Sequence, residues 1–135
     1  MSPSLLLVLA LCMSTGALIC NSAMNKFSVH VMNGFKNQTL QTHCQSKDDD
    51  LGLQLVPVNG EFQWHFRVNY FGTTLYFCNM WWVGGHRSFN VFWVNDDFLV
   101  KDCGNSDCRW KAQEDGIYLY NSEHNEYHFY YNWEP

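Results

Sequence analysis

An all-β fold, an antiparallel β-sandwich of short strands stapled by two disulfides, is predicted for this 135-residue chain by three observations. Apolar residues alternate with polar ones over short stretches that recur along the sequence. Pairs of Asn, Asp and Gly separate those stretches as turns do. Four cysteines follow an N-terminal apolar segment that reads as a secretory leader.

The leader covers residues 1–23, which carry no charged side chain; Leu5 to Leu11 are an apolar block, and the smaller Ser14, Thr15, Gly16 and Ala17 follow. A bilayer span needs roughly 20 apolar residues, so this is a signal peptide and not an anchor. Cleavage after Cys20, Ser22 or Ala23 fits the composition, and residues 24–135 form one domain. Removing the leader takes away Cys12 and Cys20 and leaves Cys44, Cys78, Cys103 and Cys108. An even count in a secreted chain implies two bridges, with three pairings open. Bridges between distant strands clamp a sandwich better than a local loop, which favours Cys44 with Cys108 and Cys78 with Cys103. In a secreted chain, Asn37-Gln38-Thr39 is also an N-glycosylation acceptor.

Phe27, Val29 and Val31 alternate with Ser28, His30 and Met32 up to the turn pair Asn33-Gly34, and a second strand is expected around Leu40 to Cys44. Leu51 to Val56 is joined by Asn59-Gly60 to the alternation at Phe62, Trp64 and Phe66, the signal of a type I′ hairpin. Thr74 to Asn79 follows, then Phe89, Val91 and Trp93, then Phe98 to Lys101. Asp115-Gly116 turns Arg109 to Ala112 into Ile117 to Tyr120, and Tyr127 to Tyr131 is the last strand. Eight to ten short strands without intervening helices make a sandwich or small barrel. The rings of Trp64, Phe66, Phe77, Phe89, Trp93 and Trp110, which bury about 150–250 Å² each, are its expected core.

Charge and motif exclude several activities. The net charge of -5 with scattered lysines and arginines is wrong for nucleic acid or an anionic membrane surface, both of which need a clustered basic face. Asp48-Asp49-Asp50 lacks the alternating spacing of a calcium loop and reads as a solvated turn. His124 and His128, four apart on a strand, stand about 13 Å from each other, too far to share a metal. The cysteines lack zinc-ribbon spacing. His30, His43, His65 and His86 are dispersed, so the paired histidines of a ribonuclease are missing, and there is no Gly-x-Ser-x-Gly elbow. No cofactor, metal or catalytic residue is therefore expected.

Several motifs occur in a fixed order: His43-Cys44-Gln45-Ser46-Lys47-Asp48-Asp49-Asp50-Leu51-Gly52, Phe62-Gln63-Trp64-His65-Phe66, and Thr73-Thr74-Leu75-Tyr76-Phe77-Cys78. They continue with Phe89-Asn90-Val91-Phe92, Cys103, Cys108-Arg109-Trp110 and Asp115-Gly116-Ile117-Tyr118. From about Val29 to Tyr120 this series resembles the plant self-incompatibility S-protein homologues. The resemblance implies a small secreted plant β-sandwich in which Cys44, Cys78, Cys103 and Cys108 are structural. It also implies kinship with the stigmatic determinant that poppy pollen recognises, and it supplies no catalytic residues.

The resulting expectation is a monomeric extracellular ligand for a cell-surface receptor protein. Recognition is assigned to loops at the ends of the sandwich, Lys47 to Asp50, Met80 to Arg87 and Asn95 to Asp97. Asp48, Asp49, Asp50, Asp96 and Asp97 would steer a basic partner, and Trp81 or Trp82, one of which must face away from the core, would anchor it. The rival readings are a carbohydrate- or wall-binding module using Trp81, Trp82, Tyr130, Tyr131 or Trp133, and a secreted hydrolase or nuclease.

Overall fold

The computed structural model describes residues 26–135, so the leader assigned to residues 1–23 lies outside the described residues. The alternation at Phe27, Val29 and Val31 becomes β1 (Lys26–Asn33), and eight strands follow among the described residues. These are β2 (Leu40–Gln45), β3 (Asp50–Val56), β4 (Glu61–Arg67), β5 (Tyr76–Trp82), β6 (Gly85–Phe92), β7 (Asp107–Gln113), β8 (Gly116–Asn121) and β9 (Glu126–Tyr131). They form a five-stranded sheet in the order β4-β1-β7-β8-β9 and a four-stranded sheet in the order β3-β2-β5-β6. Neighbours are antiparallel except β1 and β7, which run parallel with Val29 opposite Cys108 and Val31 opposite Trp110. A parallel pair needs a long crossover. Here the crossover contains the whole second sheet.

Period-2 alternation sends Val29, Val31, Trp110 and Leu119 of the first sheet inward against Leu40, Cys78, Met80 and Val91 of the second, all buried. Burying each such side chain stabilises by about 1.5–3 kcal/mol. Trp110 also crosses the core as a polar link: its Nε1 donates to the Val91 carbonyl at 3.0 Å, while its ring lies 5.0 Å from that of Phe89.

Several expectations are corrected. Phe77 points away from the core, because the inward residues of β5 are Tyr76, Cys78 and Met80. Phe98 to Lys101 is no strand but part of a π-helical turn, Phe98–Asp102, closed by Cys103 N donating to Phe98 O at 2.9 Å. Phe98 and Leu99 are both buried on this turn. Asn59-Gly60 makes a turn but no hairpin, since β3 and β4 belong to different sheets. Gly60 N donates to Pro57 O at 2.8 Å, and Asn59 takes the positive φ of 65° that suits the third position of a type II turn.

The disulfide pairing is corrected as well. Cys44 bonds Cys78, and Cys103 bonds Cys108. Cys44 and Cys78 face each other in register on β2 and β5. Opposed residues of neighbouring strands lie about 4.5–5.5 Å apart, within the Cα span of a disulfide, so this bridge forms without displacing either strand. Clamping distant strands was the wrong criterion.

The residues after Tyr120 are integral to the sandwich. Asn121 completes β8, β9 forms the edge of the first sheet, and the chain then crosses to the second, where His86 and Glu134 exchange backbone hydrogen bonds of 2.8 and 2.9 Å. Trp133 Nε1 donates to Gln113 O at 2.7 Å.

Candidate functional site

Register determines which loops share an end. Lys26 opposes Arg67, and Ser28 opposes Asp107, so β1 starts where β4 finishes and β7 begins. Gln45 opposes both Asp50 and Phe77, and Tyr76 opposes Phe92. The β2–β3 loop (46–49), the β4–β5 loop (68–75), the segment 93–106 and the β8–β9 turn (122–125) therefore gather at one end. The β1–β2 loop, the turn at 57–60 and the β5–β6 and β7–β8 hairpin turns lie at the other.

This division separates the residues assigned to recognition. Asp48, Asp49, Asp50 and Asp97 are exposed at the first end. Asp96 is only 8% exposed and is corrected from a partner contact to a buried residue of the segment that carries the π-helical turn. Met80 to Arg87 is mostly strand, with its turn confined to Val83 and Gly84, and it places both tryptophans at the second end. Trp81 is 39% exposed on the outer face of its sheet, between Gln41 and His86. Trp82 is half-buried, stacked on Phe35 at 4.3 Å and 5.9 Å from Trp133, so it is scaffold rather than anchor. Tyr130 and Tyr131 likewise pack on Trp110, at 5.3 and 6.3 Å.

At the first end a groove of about 510 Å³ separates the acidic loop from the β4–β5 loop. Ser46 ties the acidic loop: its N–H donates to Asp49 O at 2.7 Å, and its Oγ accepts from Asp49 N at 3.1 Å. Asp50 turns back onto the strand. The Gly52 N–H (2.9 Å) and the His43 ring (2.6 Å) hold its carboxyl below the usual aspartate range, the backbone donor first. Asp48 and Asp49 are left facing the groove. On its floor, burial and then the nearby Asp49 push the Tyr76 hydroxyl upward.

The opposite wall contains the feature that sequence reasoning missed. Asn69 organises the turn: its N–H donates to Thr74 Oγ1 (2.9 Å), its Nδ2 to Thr73 Oγ1 (2.8 Å), and its Oδ1 accepts from Thr73 N (2.9 Å). Gly72, at φ 68°, donates to Asn69 O at 3.2 Å. On this tied turn Tyr70, Phe71 and Leu75 face solvent, Phe71 at 82% exposure. The available signal was Asn-x-x-Gly-Thr-Thr, a turn composition with two aromatics inside it.

Two histidine clusters stand elsewhere. On the outer face of the first sheet, Ser28 Oγ lies 3.1 Å from His30 Nε2, and His30 Nδ1 lies 2.8 Å from Glu61 Oε2. The connectivity is that of a nucleophile, base and orienting acid, but the Ser28 proton goes to Asp107 and Ser28 is 3% exposed, so the hydroxyl is neither activated nor reachable. Burial opposes ionisation of Asp107, yet the hydrogen bonds from Ser28 and His30 outweigh it and keep the carboxyl below its ordinary range. The expected separation of His124 and His128 is corrected: His124 lies in the turn rather than on the strand, and the ring centroids are 5.4 Å apart. Each ring faces a glutamate, Glu123 at 3.8 Å and Glu126 at 2.9 Å, and no group of three or more metal-ligating side chains forms among the described residues.

Comparison with known proteins agrees with this architecture. Residues 28–133 match the plant self-incompatibility protein S1 family, so the match extends past Tyr120. The chain is similar to S-protein homolog 1 of Arabidopsis thaliana, with 38% identity over 82% of this chain and 74% of that protein. It is also similar to S-protein homolog 24 of the same plant, with 39% identity over 70% of this chain and 61% of that protein. A solved structure of SPH (self-incompatibility protein homologue) proteins, described as small, highly stable and secreted from plants, shares the fold. Its TM-score is 0.62 at 18% identity, over 82% of this chain and 96% of that one.

Proposed function

The chain belongs to the plant self-incompatibility protein S1 family, and on that premise we propose that it is a secreted monomeric ligand recognised by a protein at the plant cell surface. The observation carrying this reading is the first end of the sandwich, where a disulfide-bonded scaffold holds a groove open between an acidic loop and a tied aromatic turn. Loops on a rigid scaffold can vary their contacts at little cost to the fold. The test is proximity labelling of plant cell surfaces with the oxidised, labelled protein. Labelling of a discrete surface protein that saturates and is competed by unlabelled protein is the expected result; labelling that rises linearly with concentration rejects a specific ligand role.

A carbohydrate-binding reading is supported by Trp81 alone, an exposed ring flanked by polar side chains on an open sheet face. Glycan-array binding lost on Trp81→Ala would favour it. We also propose that Asn37, exposed in the β1–β2 loop, carries a glycan at the end remote from the groove. Protein from a plant secretory host is expected to shift on a gel after glycosidase treatment, and Asn37→Gln to abolish the shift. An unshifted parent would show the sequon to be unused.

A further inference from the structure

We propose that Phe71, with Tyr70 and Leu75 beside it, is the anchor by which this end of the sandwich docks into an apolar pocket of a protein partner whose rim carries basic side chains. This rests on the ligand reading above and names the contact that reading leaves open.

Phe71 has the highest exposure among the large apolar side chains exposed in the structure, so the fold gains almost nothing from its ring. The turn that carries it depends on Asn69, Gly72, Thr73 and Thr74, and its hydrogen bonds would form with any side chain at position 71. A scaffold with no use for the ring nevertheless presents it on a turn whose backbone is tied in place. Holding an aromatic side chain on a tied turn lowers the ordering cost of binding, and buried aromatic anchors dominate the energetics of many interfaces.

Charge identifies the partner. The groove is lined by Asp48 and Asp49 together with Lys47 and Arg67, Asp49 lies against the Tyr76 hydroxyl, and Asp50 is engaged by His43. The chain as a whole carries -5. That excess of carboxylates over the whole chain attracts a basic protein rim and repels an anionic bilayer, the other surface into which an exposed phenylalanine could insert.

The experiment measures binding of the labelled full-length protein to plant protoplasts, with and without prior trypsin treatment of the cells. Vesicles of phosphatidylcholine with a minority of phosphatidylserine provide the lipid arm. Phe71→Ser is expected to weaken saturable, trypsin-sensitive binding by ~10-fold or more while leaving circular dichroism and the melting temperature unchanged, and Phe71→Trp to stay within ~3-fold of the parent. Val58→Ser removes an exposed side chain in the turn at the opposite end, outside every segment assigned to recognition, and is expected to bind as the parent does. If Phe71→Ser binds as tightly as the parent, the anchor is wrong and the ligand reading stands. Binding that survives trypsin and is reproduced on vesicles makes Phe71 a lipid contact and overturns the protein partner. If the parent shows no saturable binding to either surface, the ligand reading fails and the anchor with it.

Discussion

Replacing Cys44 and Cys78 together by alanine is expected to lower stability by about 4 kcal/mol, against about 2 kcal/mol for Cys103 with Cys108. The bridges close loops with sequence separations of 34 and 5, and the restriction that a cross-link places on the unfolded chain grows with the logarithm of loop length. All four half-cystines are almost fully buried, so truncation also leaves small cavities that add to both losses. A domain's whole stability is about 5–15 kcal/mol, so the first pair removes a large part of it. The comparison also decides the pairing. With Cys44 joined to Cys78, each double substitution leaves one bridge intact and no free thiol. With Cys44 joined to Cys108, either double substitution would break both bridges and expose two thiols. Guanidinium unfolding with thiol titration of the two variants separates the cases, and equal destabilisation with two titratable thiols in each would overturn the pairing described here.

Strands were legible in the sequence where one face is apolar and the other polar. In β1, Val29 and Val31 enter the core between Ser28, His30 and Met32, and in β4 Trp64 does so between Gln63 and His65. In β5 the phase could not be read, because Tyr76, Phe77, Cys78, Met80, Trp81 and Trp82 put apolar side chains on both faces; Phe77 was therefore assigned to the wrong one. Asn59-Gly60 announced a turn, but whether the flanking strands pair or diverge into separate sheets depends on contacts distant in sequence. The disulfides were illegible for the same reason, since their pairing follows from β2 lying beside β5. The candidate site was half legible. Consecutive carboxylates marked Asp48 to Asp50 as exposed but failed for Asp96, buried beside Asp97, and an aromatic residue is expected inside, so nothing in the composition of Tyr70-Phe71 shows it outside.

Asn33 is the polar counterpart of the disulfides, and its replacement by alanine is expected to cost about 3–4 kcal/mol. It is fully buried at the end of β1, where the chain leaves the first sheet for the second. Its Nδ2 donates to Gln38 O at 2.8 Å and to Val56 O at 2.9 Å, and its Oδ1 accepts from Phe35 N at 2.7 Å. One amide thus joins the end of β1, the β1–β2 loop and the end of β3, linking both sheets. Truncation strands the Val56 carbonyl and the Phe35 N–H away from water at about 1–3 kcal/mol each, whereas Gln38, being exposed, can be hydrated again. Asn33→Asp keeps the volume and reverses the chemistry by turning an oxygen toward two carbonyls that need a donor. A protonated carboxyl can still donate to one of them and an ionised one to neither. The deficit of Asn33→Asp is therefore expected to grow between about pH 4 and pH 7, while that of Asn33→Ala stays level. Urea unfolding at both pH values measures this, and an Asn33→Asp protein as stable as the parent at neutral pH would show that the amide does not join the sheets.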